Sequence, residues 1–282
     1  MSARAFLMNV LVVSAIMAVA ALIEAVVPMF ARTSWTPGRR AANLALTAVV
    51  FLLNWSLSSV TAILALALSL QPPALAKGLG LPMSVQIVAG IVILDFSVGY
   101  LAHRLLHLFP VLWRFHRVHH SDEFVDATTT YRTHPVETVW RFLFVIVPVW
   151  MLGIPAQAVV IQRLVSAGNG ILEHSNIRLW RPLDRVVSLV WVTPNVHKIH
   201  HSRDLVETNS NYGNVLTVYD RMLGTFTSAD RAESVVYGLD EADPTRIASF
   251  GGLLSMPFQP ERRHSLTQKS GSGRAYIDNI ST

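Results

Sequence analysis

Residues 95–107 read DFSVGYLAHRLLH, so that the end of an apolar segment runs directly into two histidines four residues apart. Residues at i and i+4 project from one face of a helix, one turn apart, and the spacing therefore pairs His103 with His107. Ionisable side chains beside a membrane-spanning segment are costly unless they bind a partner. A metal ion shared with other histidines of the chain would be such a partner.

The other histidines form further clusters with helical spacing. Of the eleven histidines, ten fall between residues 103 and 201 and none comes earlier. Residues 116–120 read HRVHH and residues 197–201 read HKIHH, while His134 stands in THP and His174 in EHSN. On helices, each of the two HxxHH clusters is expected to converge on one face. The predicted metal ligands are His103, His107, His116, His119, His120, His134, His174, His197, His200 and His201.

The number and type of these ligands indicate two metal ions. Imidazole suits iron, zinc, copper and nickel. A zinc site uses about three or four protein ligands, whereas ten histidines give two ions about four or five each. Soluble di-iron bundles rely on Glu-x-x-His motifs, and this chain has no inward pair of them. A single histidine such as His134 is more often an ordinary side chain than a ligand, and that alternative stays open.

Two polar residues near the histidines are candidate catalytic residues. Asp95 lies within an apolar span, two turns before His103, and a carboxylate in such a place indicates a functional site. Its alternative role is pairing with a neighbouring helix. Asn195 precedes HKIHH and could orient a ligand, or it could serve ordinary turn chemistry. Metal-bound histidines usually donate their outer ring nitrogen to an oxygen acceptor. The candidate acceptors are Asp95, Asp122, Glu137, Glu173 and Asp204.

The rest of the chain has the composition of a membrane protein. It is 51% apolar, only 15% charged, and has a mean hydropathy of +0.40. Three apolar segments at residues 6–30, 43–70 and 82–102 are long enough to cross a bilayer as helices. The first is too long for a signal peptide, which is its alternative interpretation. Residues 136–173 are too long for one span and short for two, and the interruption at Gly153, Ile154 and Pro155 predicts a helical hairpin that returns to the side it left.

The positive charges predict the orientation of these spans. Three arginines stand in the loop at residues 32–41, and three more follow the third span, whereas the loop at 71–80 has one lysine. By the positive-inside rule the histidine segments face the cytoplasm of a multi-pass protein in the cell inner membrane or its equivalent. The formal charge of +5 and pI of about 9.9 fit this topology better than nucleic-acid binding.

The chain divides by composition into three parts. Residues 1–80 are predicted to be N-terminal transmembrane helices, residues 81–230 a catalytic domain, and residues 231–282 a polar C-terminal tail that is partly disordered. The chain has no cysteine, which excludes disulfides, cysteine-ligated zinc sites and iron–sulfur clusters.

Residues 90–228 resemble the fatty acid hydroxylase / sterol desaturase superfamily of membrane di-iron proteins. The resemblance implies an all-helical, mushroom-like protein with a cytoplasmic cap on about four membrane helices, the hairpin included. It implies two iron ions, O₂ as cosubstrate, and hydroxylation or desaturation of a sterol-like or fatty acyl lipid. It implies that nine histidines, all the predicted ligands except His134, hold the iron, and His134 matches an RxHPxE element. The matching text is DFSVGYLAHRLLH, WRFHRVHHSDEFVDATTTYRTHPVE, EHSN, TPNVHKIHHSRD and NSNYGNVLTVYDRMLGTF.

Two departures from the family pattern bear on substrate and electron supply. Fatty acid 2-hydroxylase-like members tend to carry a second histidine one turn before the position of His174, where this chain has Gly170. His134 is the expected replacement, which favours a substrate other than that of the 2-hydroxylases. The sequence has no HPGG segment of a fused haem domain, so a separate ferredoxin- or cytochrome b5-like donor is expected.

Two other classes of protein remain alternatives. One is a membrane metallohydrolase using metal-activated water, although such sites usually include carboxylate ligands. The other is a metal-binding membrane transporter, although transporters place their sites near the bilayer midplane. Dependence on O₂ and a metal-flux assay distinguish them from a lipid oxygenase.

Overall fold

Helices make up almost all of the ordered secondary structure. Strand-like pairing in the described part of the chain is limited to isolated bridges of Pro28 with Ile177 and of Trp191 with Leu216. The predicted all-α class is therefore confirmed. The computed structural model describes residues 3–31, 38–67, 80–240 and 242–259.

Within these described ranges, four helices are long and apolar enough to cross a membrane, namely Ala3–Val26, Arg39–Thr61, Met83–Leu108 and Pro135–Leu152. The predicted spans are thus largely helical where they are described. Residues 71–79 of the predicted turn at 71–80, and residues 241 and 260–282 of the predicted tail, lie outside the described residues. As far as His174 the α-helices are α1 (Ala3–Val26), α2 (Arg39–Ala67), α3 (Met83–Leu94), α4 (Ala102–Leu108), α5 (Pro110–His120), α6 (Pro135–Leu152) and α7 (Ala156–His174). Further helices follow as α8 (Arg181–Val187), α9 (Pro194–His200), α10 (Leu205–Thr208), α11 (Val218–Met222), α12 (Pro244–Ile247) and α13 (Phe250–Ser255).

A π-helical segment, Asp95–Leu101, joins α3 to α4 inside the third span. Sequence patterns did not predict it, because hydrophobic periodicity does not distinguish one wide turn within a long apolar helix. Because Gly99 has no side chain, the segment that contains Asn214 can pack closely against this turn. A Cβ atom at Gly99 would lie 2.9 Å from Oδ1 of Asp95 and 3.3 Å from Cβ of Asn214. Such wide turns occur frequently at functional sites.

The predicted hairpin is formed by α6 and α7. Gly153 ends α6 in the left-handed conformation with φ 67°, which glycine adopts without steric cost, and Pro155 precedes α7. The far ends of the two helices lie together, because the hydroxyl of Thr130, just before α6, donates to the carbonyl of Gly170 near the end of α7 at 3.2 Å. Of the two helices, α6 meets the length and hydropathy expected of a membrane span.

Buried ionic contacts gather the helix ends into one layer. The carboxylate of Glu24, near the end of α1, accepts hydrogen bonds from the backbone N–H of Ala127 at 2.8 Å and of Asn176 at 2.9 Å. Arg39, which starts α2, donates to Asp122 at 2.8 Å, directly after the HRVHH motif. The arginine-rich end of α2 and the histidine segments therefore lie on one side of the helices, as the charge pattern predicted.

The described residues after 230 fold onto this layer. Ile247, Leu253 and Met256 form a buried cluster with Leu46 of α2 and Val118 of α5. Residues 242–259 therefore contribute to the core, because their apolar side chains cover the start of α2. The domain boundary at residue 230 stays a prediction.

Candidate metal centre

Nine of the ten predicted ligands come together in two groups. Within each group the candidate ligand nitrogens lie within 4.8 Å of one another. Eight of the nine side chains are buried, and His107 is partly exposed. The five-histidine group contains His103, His107, His116, His120 and His200, and the four-histidine group contains His119, His174, His197 and His201.

These nine side chains lie on four helices or at their ends. The pair in HRLLH lies on α4, HRVHH ends α5, HKIHH lies on α9 and its C-cap, and His174 is the last residue of α7. Proline opens both α5 and α9, where its missing N–H costs nothing. The hydroxyl of Thr193 accepts from the N–H of Val196 and caps α9. Local sequence thus starts α5 and α9 so that an HxxHH motif closes each of these two helices.

The adjacent histidines of each HxxHH motif belong to different groups. The rings of His119 and His120 are inclined at 87°, and those of His200 and His201 at 88°. The expectation that each motif converges on one face was therefore wrong, because consecutive residues of a helix point about 100° apart. The correction has a chemical consequence, since each motif contributes ligands to both groups.

The ring nitrogens are arranged to receive cations. Nδ1 of His103 donates to the carbonyl of Tyr212 at 2.8 Å, and Nδ1 of His174 donates to the carbonyl of Gly170 at 2.6 Å. A carbonyl only accepts, so these bonds fix the tautomer and leave Nε2 with its lone pair. Nε2 of His103 lies 3.1 Å from Nε2 of His116. Nitrogens held this close, in a group without enough protons to bridge them all, fit a bound metal ion.

Several buried nitrogens also lack a hydrogen-bond partner among the described residues. They include Nε2 of His107, Nε2 of His200 and both ring nitrogens of His201. A buried nitrogen without a partner costs about 1–3 kcal/mol. Burial lowers the pKa of His119, His120, His197 and His201 well below its usual value, and lowers the pKa of His200 to about 3. The rings are therefore neutral at physiological pH, which is the form that binds metals.

Glu137 holds one of the central imidazoles. Its Oε2 accepts from Nδ1 of His116 at 3.0 Å, and both side chains are fully buried. Its Oε1 accepts from Nε of Arg141 at 2.8 Å, one turn along α6. This is the carboxylate–histidine pairing that raises the basicity of metal-ligating rings. Glu137 is one of the acceptors predicted from the sequence.

His134 lies outside both groups. Its Nδ1 accepts a hydrogen bond from the N–H of Val136 at 3.2 Å and caps α6. Its ring packs against Phe115 and Phe258, with ring centroids 5.1 and 6.2 Å away. In this arrangement His134 starts the helix that carries Glu137, and metal ligation by His134 remains an untested prediction.

The two candidate catalytic residues also lie outside the groups. Asp95 is buried in the π-helical segment, and Asn195, in the first turn of α9, donates to the carbonyl of Leu179 at 3.3 Å. A different carboxylate lies beside the four-histidine group. Oε1 of Glu173 lies 3.9 Å from Nε2 of His197. Catalytic roles for Asp95 and Asn195 remain predictions.

The position of Gly170 has little room for a side chain. A Cβ atom there would lie 3.2 Å from Cγ2 of Thr130. The carbonyl of Gly170 already accepts from the ring of His174. At this position, where 2-hydroxylase-like proteins carry a histidine, the space is thus taken by Thr130.

Comparison with known proteins agrees with this site. Residues 87–225 match the family model described as Fatty acid hydroxylase. The chain is 36% identical over 190 residues to an ornithine lipid hydroxylase from Rhizobium tropici, covering 67% of this chain and 55% of that protein. It is 30% identical over 148 residues to alkylglycerol monooxygenase from Danio rerio, covering 52% of this chain and 31% of the relative. It is 28% identical over 138 residues to human cholesterol 25-hydroxylase, covering 48% of each.

The fold and the histidine motifs define a class of helical proteins with apolar helices long enough to cross a membrane and two candidate metal-binding groups. The chain belongs to the fatty acid hydroxylase / sterol desaturase superfamily. The relatives named above are hydroxylases and monooxygenases, which are oxidoreductases. The chain spans about half the length or less of these relatives. No solved structure gives a significant match.

Proposed function

We propose that this protein is a membrane-bound, non-haem di-iron oxygenase that hydroxylates a lipid with O₂ and electrons from a separate donor. The observation that carries the proposal is the gathering of nine imidazoles into adjacent groups of five and four. Imidazole nitrogens are suitable ligands for iron, whereas Mg²⁺ and Ca²⁺ prefer oxygen ligands. The names of the relatives support hydroxylation rather than desaturation.

The position of the centre supports a lipid substrate. His107 lies at the end of α4, and the next residues, Leu108 and Phe109, are 57% and 53% exposed. The end of α1 lies beside the segment that follows His174, because the N–H of Arg178 donates to the carbonyl of Val27 at 3.1 Å. The imidazoles thus lie where apolar helices end, which is the depth at which a lipid chain passes from the bilayer to its headgroup.

The protein residues supply positioning and exclusion of water. Iron bound in the two groups would supply the capacity to reduce O₂ and to oxidise an unactivated C–H bond. In the net reaction one oxygen atom enters the C–H bond and the other leaves as water, with two electrons and two protons taken up. Eight buried histidines keep bulk water from the centre. His107 is the partly exposed member, and the rings of Trp113 and Tyr212 lie 5.0 and 5.1 Å from it. We place the substrate entrance there.

The relatives suggest which lipids to test first. The Rhizobium relative is named for ornithine lipids, the animal relatives for alkylglycerols and cholesterol. The match to the ornithine lipid hydroxylase covers 67% of this chain, so ornithine-containing lipids are the first candidates. The electron donor is proposed to be a ferredoxin- or cytochrome b5-like protein that reaches the centre from the cytoplasm.

The proposal is tested on purified protein in detergent or nanodiscs. We expect two iron ions per chain by mass spectrometry of metals, and O₂- and reductant-dependent hydroxylation of a lipid extract. Incorporation of one atom from ¹⁸O₂ into the product distinguishes this chemistry from hydrolysis. His116→Ala should abolish the product, whereas His264→Ala, which changes the one histidine with no assigned role, should not. A protein that holds only zinc and oxidises no lipid with any donor would contradict the proposal and favour the metallohydrolase. Metal flux across vesicles would favour the transporter.

A further inference from the structure

One short stretch of chain, the outer strap, lies behind the five-histidine group. The outer strap is residues 208–212, with the sequence TNSNY. Two of its carbonyls accept from histidine rings: Tyr212 from Nδ1 of His103 at 2.8 Å, and Ser210 from Nδ1 of His200 at 2.7 Å. A backbone carbonyl has no signature in a sequence, so these partners could not be predicted.

Two side chains of the outer strap contact two further rings of the same group. Oγ1 of Thr208 lies 3.3 Å from Nδ1 of His120. Oδ1 of Asn209 lies 3.3 Å from Nδ1 of His107. Five consecutive residues therefore hold four of the five rings, and Glu137 holds the fifth.

The four-histidine group has no comparable support in the described residues. His174 donates to the carbonyl of Gly170. Nδ1 of His119 and Nδ1 of His197 have no hydrogen-bond partner there, and neither nitrogen of His201 has one. The two groups thus differ in how firmly the protein orients their rings.

The shape of the outer strap is itself fixed by buried polar contacts. Asn211 adopts φ 52°, a left-handed conformation that asparagine tolerates better than most residues. Its Oδ1 accepts from the N–H of Thr227 at 2.8 Å. The carboxylate of Asp220 accepts from the N–H of Tyr212 at 2.9 Å and of Gly213 at 2.8 Å. A segment held in this way presents its acceptors at fixed positions.

We infer that the outer strap is a positioning element for one metal only, with Thr208 and Asn209 as positioning residues that set the affinity of the five-histidine group. The inference rests on the proposed two-metal function. A metal-ligating histidine donates its other ring nitrogen to a hydrogen-bond partner, which fixes the orientation of the ring. Removing that partner typically weakens metal binding about 10- to 100-fold. The four-histidine group should bind its metal independently of the strap.

The test isolates each group and then removes the two strap side chains. Cobalt(II) is titrated into metal-free protein in detergent, and its visible absorption reports binding against a competing chelator. His174→Ala with His197→Ala leaves the five-histidine group, and His103→Ala with His116→Ala leaves the four-histidine group. Adding Thr208→Val and Asn209→Ala should weaken cobalt binding about 10- to 100-fold in the first background and less than about threefold in the second.

The controls are Thr217→Val and Asn214→Ala, introduced into the same two backgrounds. Thr217 is a buried threonine whose hydroxyl donates to the carbonyl of Ser188 at 2.9 Å, and Asn214 donates to Ser166 at 2.8 Å. These two controls should change cobalt affinity less than about threefold in both backgrounds. Circular dichroism and gel filtration confirm that each protein is folded.

The outcomes separate the inference from the function on which it rests. Equal weakening of both groups by the strap substitutions, or no weakening of the five-histidine group, would overturn the inference. Failure of either parent background to bind one cobalt would instead contradict the proposed two-metal centre.

Discussion

Replacing Glu137 by glutamine tests whether a carboxylate behind the metal centre tunes it. The substitution keeps the shape of the side chain but removes its charge, and the new amide cannot accept from both His116 and Arg141 as the carboxylate does at 3.0 and 2.8 Å. Hydrogen bonds to charged groups contribute about 1.5–3 kcal/mol. A 10- to 100-fold loss of metal affinity corresponds to about 1.4–2.8 kcal/mol. The two estimates agree, and we expect a loss in this range for one of the two metals.

The assay is a cobalt or iron titration of the full-length protein, together with metal content and turnover. Glu233→Gln is the control, because Glu233 also pairs with an arginine, at 3.5 Å from Arg181, but does so at the surface. A double-mutant cycle with His116→Ala identifies the route of the effect. If Glu137 acts through His116, its substitution should change affinity little once that ring is gone. Wild-type affinity for both metals in Glu137→Gln would refute the reasoning.

Three further results are expected. His134→Ala should keep two metals per chain but lower stability by about 1 kcal/mol, the usual cost of a lost helix cap, measured by thermal unfolding; loss of one metal would make His134 a ligand. Gly170→His should keep two metals but lose about 1–3 kcal/mol of stability through the clash with Thr130, whereas Gly168→Ala, at a position with open space around it, should be nearly neutral; equal stability of the two variants would contradict the clash. Removing metal with a chelator should lower the unfolding temperature. Adding metal at about 100 times its dissociation constant should restore about 2.7 kcal/mol of unfolding free energy per site. An unchanged unfolding temperature would mean that no bound cation stabilises the fold.

The sequence was sufficient for the features that depend on side-chain type and spacing. Long apolar runs predicted the spans, and Gly153 with Pro155 predicted the hairpin, because these residues end helices for local steric reasons. Clustered histidines predicted nine residues that the fold brings together. Charge asymmetry predicted that Arg39 and the histidine segments share one side, and the ion pair with Asp122 agrees.

Other features depend on tertiary geometry that the sequence does not reveal. Helix geometry alone points His119 and His120 about 100° apart, but the existence of a separate group for each depends on where the other helices place their histidines around α5. The carbonyls of Ser210 and Tyr212 could belong to any residue type, so their role as acceptors leaves no trace in the sequence. The π-helical turn at Asp95 arises where the third span packs against Asn214 and cannot be read from an apolar run.

The sharing of each HxxHH motif between the two groups limits how the centre can move. Adjacent residues of a helix point about 100° apart, so a rotation of α5 about its axis would displace His119 and His120 from their two groups together. The same holds at the end of α9 for His200 and His201. Each helix is thereby confined to one rotational setting, and the two halves of the centre are mechanically coupled through the peptide bond that joins consecutive histidines.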